Sequence, residues 1–269
     1  MVRIPNLRKF DVIVVNSSGG KDSQAQLEEV VRIADSQHVS RSKIVVAHAD
    51  LGRAEWAGVE ALVHQQAAHY GLRVIVTRNE KRDLLEQARQ RGKWPSSQQR
   101  WCTSDHKRAP INRIYTQLVR ELNAKGLKRK VRILNCLGFR AQESPARAKR
   151  PVWEINEGAS NKTKRTVYNW LPIHQWSEET VWARIRASGV PHHPAYDLGM
   201  GRLSCVFCIF APKAALQIAG RANPELLDQY VAVEDEIGHT FQSRLSLREV
   251  RDSLKEPLQI DAVGSWGNL

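Results

Sequence analysis

The chain is short of cysteine, of long apolar runs and of acid. Only four of its 269 residues are cysteines: Cys102, Cys136, Cys205 and Cys208. So few thiols in a chain this long exclude the disulfide framework of a small secreted domain. Metal binding, redox chemistry or plain burial remain. No stretch is apolar enough to span a bilayer, and Met1-Val2-Arg3-Ile4-Pro5 does not open a signal peptide. A cytoplasmic location without a membrane is the expectation. Repeats and long low-complexity tracts are missing as well. Asp and Glu number 28 against 41 Lys and Arg, a net charge of +13. That imbalance points to a polyanionic partner such as nucleic acid, or to a strongly anionic substrate.

What the chain does have is Ser18-Gly19-Gly20-Lys21-Asp22-Ser23, directly after the apolar run Val12–Val15. The run is rich in β-branched residues, as a buried parallel strand is. Gly19 and Gly20 permit a tight turn whose N–H groups can close around an anion. Helical spacing follows over 24–34, with Leu27, Val30, Val31 and Ala34 on one face. Strand, glycine turn and helix N-terminus together make a phosphate site. Lys21 adds a cation, and Asp22 a metal or hydrogen-bond partner. The spacing is not that of a Walker A loop.

Further strands are expected over 44–47, 74–76 and 131–137, with amphipathic segments over 55–70, 83–91 and 109–124 between them. This alternation predicts an α/β fold, with a mostly parallel sheet and helices on both faces. Ligands in such sheets sit at strand carboxyl ends. Asp50 ends the second strand and is placed to hold Mg²⁺. Gly138, after the fourth strand, would let a ligand approach the backbone closely. Arg140 would take phosphate in a two-pronged grip, and Glu143 and Arg147 could pair with each other. Cys102 lies beside His106, Lys107 and Arg108, three cations that would lower its pKa and favour the thiolate. Cys205 and Cys208, three apart, could share a metal or close a redox pair, with His192 and His193 as further ligands.

Beyond about residue 150, Pro, Trp and His become frequent. The expected division is therefore a nucleotide-binding core over 1–150 and a Cys- and Trp-bearing module over 151–269 packed on it. Helices are expected over 178–187, with Ser177 as N-cap and Thr180 in place of the capping-box acid. Another is expected over 224–237, with Asn223 as N-cap and Pro224 first. Residues 264–269 read as a frayed tail.

The loop Ser18–Ser23 resembles the PP-loop of ATP pyrophosphatases. Taken in series with Asp50, Trp101-Cys102-Thr103, Gly138–Ser144, Pro172-Ile173 with Trp176-Ser177, Tyr196 with Gly199, and Cys205/Cys208, it resembles the PAPS reductase family of adenine nucleotide α-hydrolases over about residues 10–215. The resemblance implies cleavage of ATP to AMP and pyrophosphate. Ser18, Gly19, Gly20, Lys21, Asp22, Ser23, Gly138 and Arg140 would bind the nucleotide, and Asp22 and Asp50 would hold Mg²⁺. Lys21, Asp50, Arg140 and Cys102 would be catalytic, Cys102 by receiving sulfur.

Within that family the complete loop resembles the ATP pyrophosphatases of DNA phosphorothioation, the Dnd and Ssp systems, rather than the sulfonucleotide reductases. Neither the Glu-Cys-Gly element of PAPS reductases nor the paired cysteines of cluster-bearing adenylylsulfate reductases occurs here. The implied partners are DNA, a cysteine desulfurase as sulfur donor, and other phosphorothioation proteins. Twelve Lys and Arg against three Glu over 125–165 suit a DNA acceptor. The rival readings are a PAPS or adenylylsulfate reductase, a tRNA-thiolating enzyme, and a nucleotide-gated DNA-binding subunit without turnover. Four cysteines suffice in number for an iron–sulfur cluster. Cys136, inside the strand 131–137, reads rather as a buried thiol.

Overall fold

A computed structural model of the chain describes residues 4–254. Its first strand, β1 (Val12–Ser17), leads through the glycine loop into α1 (Lys21–Ser36). Then come β2 (Ile44–Asp50), α2 (Val59–His69), β3 (Arg73–Arg78) and α3 (Leu84–Arg91). A helical turn α4 (Trp101–Thr103) passes through a π-helical turn, Ser104–Arg108, into α5 (Ala109–Ala124). β4 (Val131–Cys136), α6 (Pro145–Ala148), β5 (Trp153–Ile155), β6 (Arg165–Trp170) and α7 (Glu178–Ser188) follow. The described chain closes with α8 (Lys213–Ala222), α9 (Pro224–Ile237) and α10 (Leu247–Ser253).

The six strands form one sheet in the order β3-β2-β1-β4-β6-β5. β1 pairs parallel with β2 and β4, β4 pairs parallel with β6, and β5 runs antiparallel at the edge. Side chains alternate between the faces of a strand. Val12, Val14, Ile133 and Val167 meet Ile114, Tyr115 and Leu118 of α5 on one face. Ile13, Val15 and Leu134 point to the other face and are equally buried, so both faces are covered. On α1, Ala25 packs with Ile173, Val181 and Ile185 around α7.

The chain divides into two compact units. The first comprises Met1–Ala49, Gly58–Thr77 and Pro110–His192; the second comprises Asp50–Ala57, Arg78–Ala109 and His193–Leu269. β5, β6 and α7, all beyond residue 150, fall in the first unit together with the rest of the sheet. β6 escapes sequence reading because its inward positions include Asn169, a polar residue buried to 8% exposure. An amide relay explains how Asn169 is tolerated there. Asn16 donates to Asn135 Oδ1 (2.5 Å), Asn135 to Asn169 Oδ1 (2.8 Å), and Asn169 to Glu154 Oε1 (2.8 Å). Buried amides with every donor placed lose little on burial.

Helix α2 begins later than expected, because Gly52–Ala54 forms a 3₁₀ turn and Gly58 adopts a left-handed conformation before it. Ser177 caps α7 as expected, accepting from the Thr180 N–H. Asn223 stands at the N-cap of α9 with Pro224 first, as expected, but makes no capping bond; its amide turns back to donate to the Ala219 carbonyl at 3.0 Å. α8 and α10 were not expected from sequence, although α10 carries a full capping box, Ser246 with Glu249. The tail over 264–269 lies outside the described residues.

Candidate functional site

In the first unit the phosphate loop follows β1 as its sequence implies. Gly19 takes φ +68°, the left-handed conformation that favours glycine, and a Cβ there would meet Val59 Cγ1 at 3.0 Å. Gly20 is extended and stands at the N-cap of α1, where no side chain caps the helix. The helix N-terminus thus presents backbone N–H groups that no side chain of its own caps, the arrangement that suits an anion. Ser23 holds the turn closed: its hydroxyl donates to the Gly20 carbonyl (2.8 Å) and accepts from the Ser18 N–H (3.2 Å).

Gly138 does make a close approach possible, but to the loop's own backbone. A Cβ at 138 would stand 2.9 Å from the Asp22 carbonyl oxygen and 3.2 Å from Ser23 N. The turn after β4 is pressed against the start of α1, and that contact needs the glycine. It brings Arg140 to Asp22, with Nε 2.5 Å from Oδ1. Arg140 Nη1 donates to Gln142 Oε1 at 2.8 Å, and Nη2 lies 3.9 Å from Glu178 Oε2. The guanidinium is 2% exposed, and its fork is occupied by protein acceptors. Asp22, in turn, spends one carboxylate oxygen on Arg140.

Lys21 is likewise buried, at 3% exposure, with Nζ 3.4 Å from Glu178 Oε1. A loop lysine is expected to face solvent; here its stem lies inside and its charge meets a carboxylate from α7. Glu178, Gln142 and Asn16 are the residues sequence reading missed. Gln142 Oε1 accepts from both Arg140 and the Glu178 N–H (2.9 Å), so it joins the β4 turn to the start of α7. The signal for Glu178 was its place at the first position of a capped helix. Glu143 pairs with Arg147 as the sequence suggested, and also accepts from the Arg140 N–H at 2.8 Å.

The second unit carries Asp50, Cys102, Cys205 and Cys208. Asp50 accepts from the Gly52 N–H at 2.7 Å and lies 3.7 Å from Arg78, whose side chain is well exposed. Cys102 does not have the lowered pKa expected of it. Burial raises its pKa, Lys107 pulls it down, and Cys208 raises it further. His106 fails as a cation: burial lowers its pKa, and its Nε2 meets Gln87 Oε1 at 2.7 Å. Gln87 hands its other end to Asp105 at 2.6 Å, so the π-helical turn is tied inward to α3. Burial likewise pushes the Cys205 thiol up to about 12, against the pull of Lys107. Cys102, Cys205 and Cys208 lie near enough to feel one another's charge.

His193 does not serve as a metal ligand here. Its Nε2 meets the Ala57 carbonyl at 3.1 Å and its Nδ1 accepts from the Ala195 N–H. His192, in the first unit, packs edge-on against Trp182. Cys136 is buried in β4, and burial raises its pKa strongly. Among the described residues no group of three or more His, Cys, Asp or Glu is gathered to hold a metal, so the four thiols are not assembled as one ligand set.

The basic stretch over 125–165 is partly structural. Arg165 turns inward to the Ala159 carbonyl and Thr116, and Arg129 pairs with Asp11 at 2.6 Å. Lys125, Lys128, Lys130, Lys149, Arg150, Lys162 and Lys164 are exposed. Among the described residues, no helix is long and apolar enough to cross a membrane.

Residues 12–211 match the model of the phosphoadenosine phosphosulfate reductase domain, and the chain belongs to that family. It is 30% identical over 154 residues to an uncharacterised 37.8 kDa protein of Escherichia phage 186, covering 57% of this chain and 43% of that one. It is 35% identical over 85 residues to an adenosine 5′-phosphosulfate reductase of Neisseria meningitidis serogroup A, covering 31% of this chain and 32% of the reductase. The chain thus spans less than half the length of these relatives. Among solved structures it resembles a PAPS reductase from Candida auris in its phosphate complex. That likeness has 19% identity and a TM-score of 0.49, over 74% of this chain and 83% of that one.

Proposed function

We propose that the protein is an ATP pyrophosphatase that activates an acceptor for sulfur transfer, the acceptor being a DNA backbone phosphate. The observation that carries this reading is the phosphate loop itself. An uncapped helix N-terminus follows β1, and two buried cations, Lys21 and Arg140, meet beside it at a single carboxylate. Such a site suits a triphosphate whose charge grows at the leaving pyrophosphate, because fixed cations stabilise charge without reorganising. An acceptor oxygen attacks the α-phosphorus, the α–β bridging bond breaks, and pyrophosphate departs with the bonding electrons. The terminal sulfur of a desulfurase persulfide then attacks the activated phosphorus and AMP leaves. A thiol finally cleaves the S–S bond and becomes a disulfide. Cys102, Cys205 and Cys208 are the thiols of this chain for sulfur handling. Mg²⁺ would enter with the triphosphate, and Asp22, at the start of α1, would be its ligand in the first unit.

Product analysis tests the reading. Incubated with ATP, Mg²⁺, DNA and a cysteine desulfurase, the protein should release AMP and pyrophosphate; ADP with free phosphate would sink it. The exposed lysines over 125–165 should give DNA binding that weakens steeply with salt, through counterion release. Cys102→Ser should keep ATP binding and lose sulfur incorporation into DNA, read by mass spectrometry.

A sulfonucleotide reductase is the second reading, favoured by the family match and by the identity to the Neisseria reductase. Sulfite release from adenylylsulfate in the presence of a thiol reductant separates the two.

A further inference from the structure

We infer that Glu178 determines the specificity of the phosphate site: its carboxylate occupies the position of ligand phosphate oxygens, so that a ligand with two linked phosphates displaces it and a single phosphate does not. The inference rests on the reading of Ser18–Ser23 as a phosphate loop.

Glu178 spans both cations of the site. Its Oε1 lies 3.4 Å from Lys21 Nζ and its Oε2 lies 3.9 Å from Arg140 Nη2. A carboxylate presents two oxygens much as one face of a phosphate does. The two cations are held in place, each with a side chain 3% exposed, whereas the Glu178 side chain is 45% exposed. The carboxylate is therefore the member of the trio that can move into water without desolvating anything. Its contacts are also loose beside the 2.5 Å bond from Arg140 to Asp22, which marks Asp22 as the structural partner.

Helix α7 does not depend on this carboxylate. Ser177 caps it, the Glu178 backbone N–H goes to Gln142, and Glu179 supplies a second acid in the first turn. Glu179's own carboxyl is held below its usual range by a hydrogen bond with Ser177.

Lys21 and Arg140 are balanced by Asp22 and Glu178. Orthophosphate must trade one anion for another at the same two cations and gains little. Pyrophosphate can displace Glu178 with one phosphate and reach the uncapped N-terminus of α1 with the other. A built-in competitor of this kind raises selectivity while lowering affinity for every ligand.

Calorimetric titration of the full-length protein with inorganic phosphate and with inorganic pyrophosphate tests this, using wild type, Glu178→Gln and Glu179→Gln. Glu178→Gln should bind orthophosphate about fivefold tighter or more, the scale of a partly exposed ion pair. It should gain less for pyrophosphate, so the preference between the two salts narrows. Glu179→Gln removes the same charge one residue away, where it acts on Arg140 only through its longer-range field, and should raise both affinities far less. Thermal unfolding confirms that each variant is folded. Equal or weaker phosphate binding by Glu178→Gln, or an equal gain in Glu179→Gln, overturns the inference. Neither titration requires turnover. If Glu178→Gln shifts the preference but ATP stays intact, the inference stands and the pyrophosphatase reading falls. If wild type and Glu178→Gln bind neither salt, both fall.

Discussion

Each unit sets a lysine beside a reactive anion or its precursor, with opposite results. In the first, Lys21 and Arg140 meet the carboxylates of Asp22 and Glu178, and the cluster is cross-linked by ion pairs. In the second, Lys107 faces Cys102 and Cys205, and both thiols are nonetheless pushed above their usual range by burial. Buried aromatic residues are frequent in the second unit. Trp94 stacks on Tyr230 with centroids 5.4 Å apart, and Trp94 Nε1 and the Tyr230 hydroxyl are buried without a hydrogen-bond partner. One neighbouring cation does not ionise a thiol against desolvation. It does hold a carboxylate that is already charged.

The contrast is broken most severely at Arg140. Arg140→Ala leaves the half-buried Asp22 without its strongest partner and should cost about 3–5 kcal/mol in denaturant unfolding. The double variant with Asp22→Ala should recover part of that loss; a purely additive result would show that the pair is not coupled. Lys21→Ala is the functional counterpart. It should lower AMP release about 100-fold, the scale of losing one preorganised charge donor, with a smaller loss of stability because Glu178 can turn to water. Equal loss of folding and turnover would assign Lys21 to structure alone.

Asn169→Ala probes the buried polar groups of the sheet. It strands the Asn135 amide and Glu154, so unfolding should show a loss of about 1–3 kcal/mol. A neutral result would mean that water replaces the relay.

The mildest test concerns the thiols. Because burial raises the Cys102 pKa, the thiol is protonated at neutral pH and gains thiolate only as pH rises past its usual range of about 9. Iodoacetamide labelling of Cys102, followed by peptide mass spectrometry, should be slower than for a free thiol at pH 7.5 and should climb with alkali. Lys107→Ala removes the main influence lowering that pKa and should slow labelling severalfold further. Faster labelling in Lys107→Ala would reverse the sign of this account.

The strand, loop and helix over 12–36 were legible in the residues, and so were the parallel sheet and the helices over 109–124 and 178–187. Each is written in local terms: β-branched runs, a glycine where φ is positive, apolar spacing, a serine cap. Family membership was legible for the same reason, since its motifs are short and stand in order. Tertiary structure alone decided which charges meet. Glu178 reaches Lys21 only because α7 packs on α1, and Arg140 is saturated only because Gly138 lets its turn close on the loop. His106 sits in a basic run yet is neutral, Cys102 sits beside lysine yet is protonated, and Asn169 sits inside a sheet yet is satisfied. Ionisation and hydrogen bonding depend on how much water distant segments exclude and on which partners they bring, and neither quantity is written in the neighbouring residues.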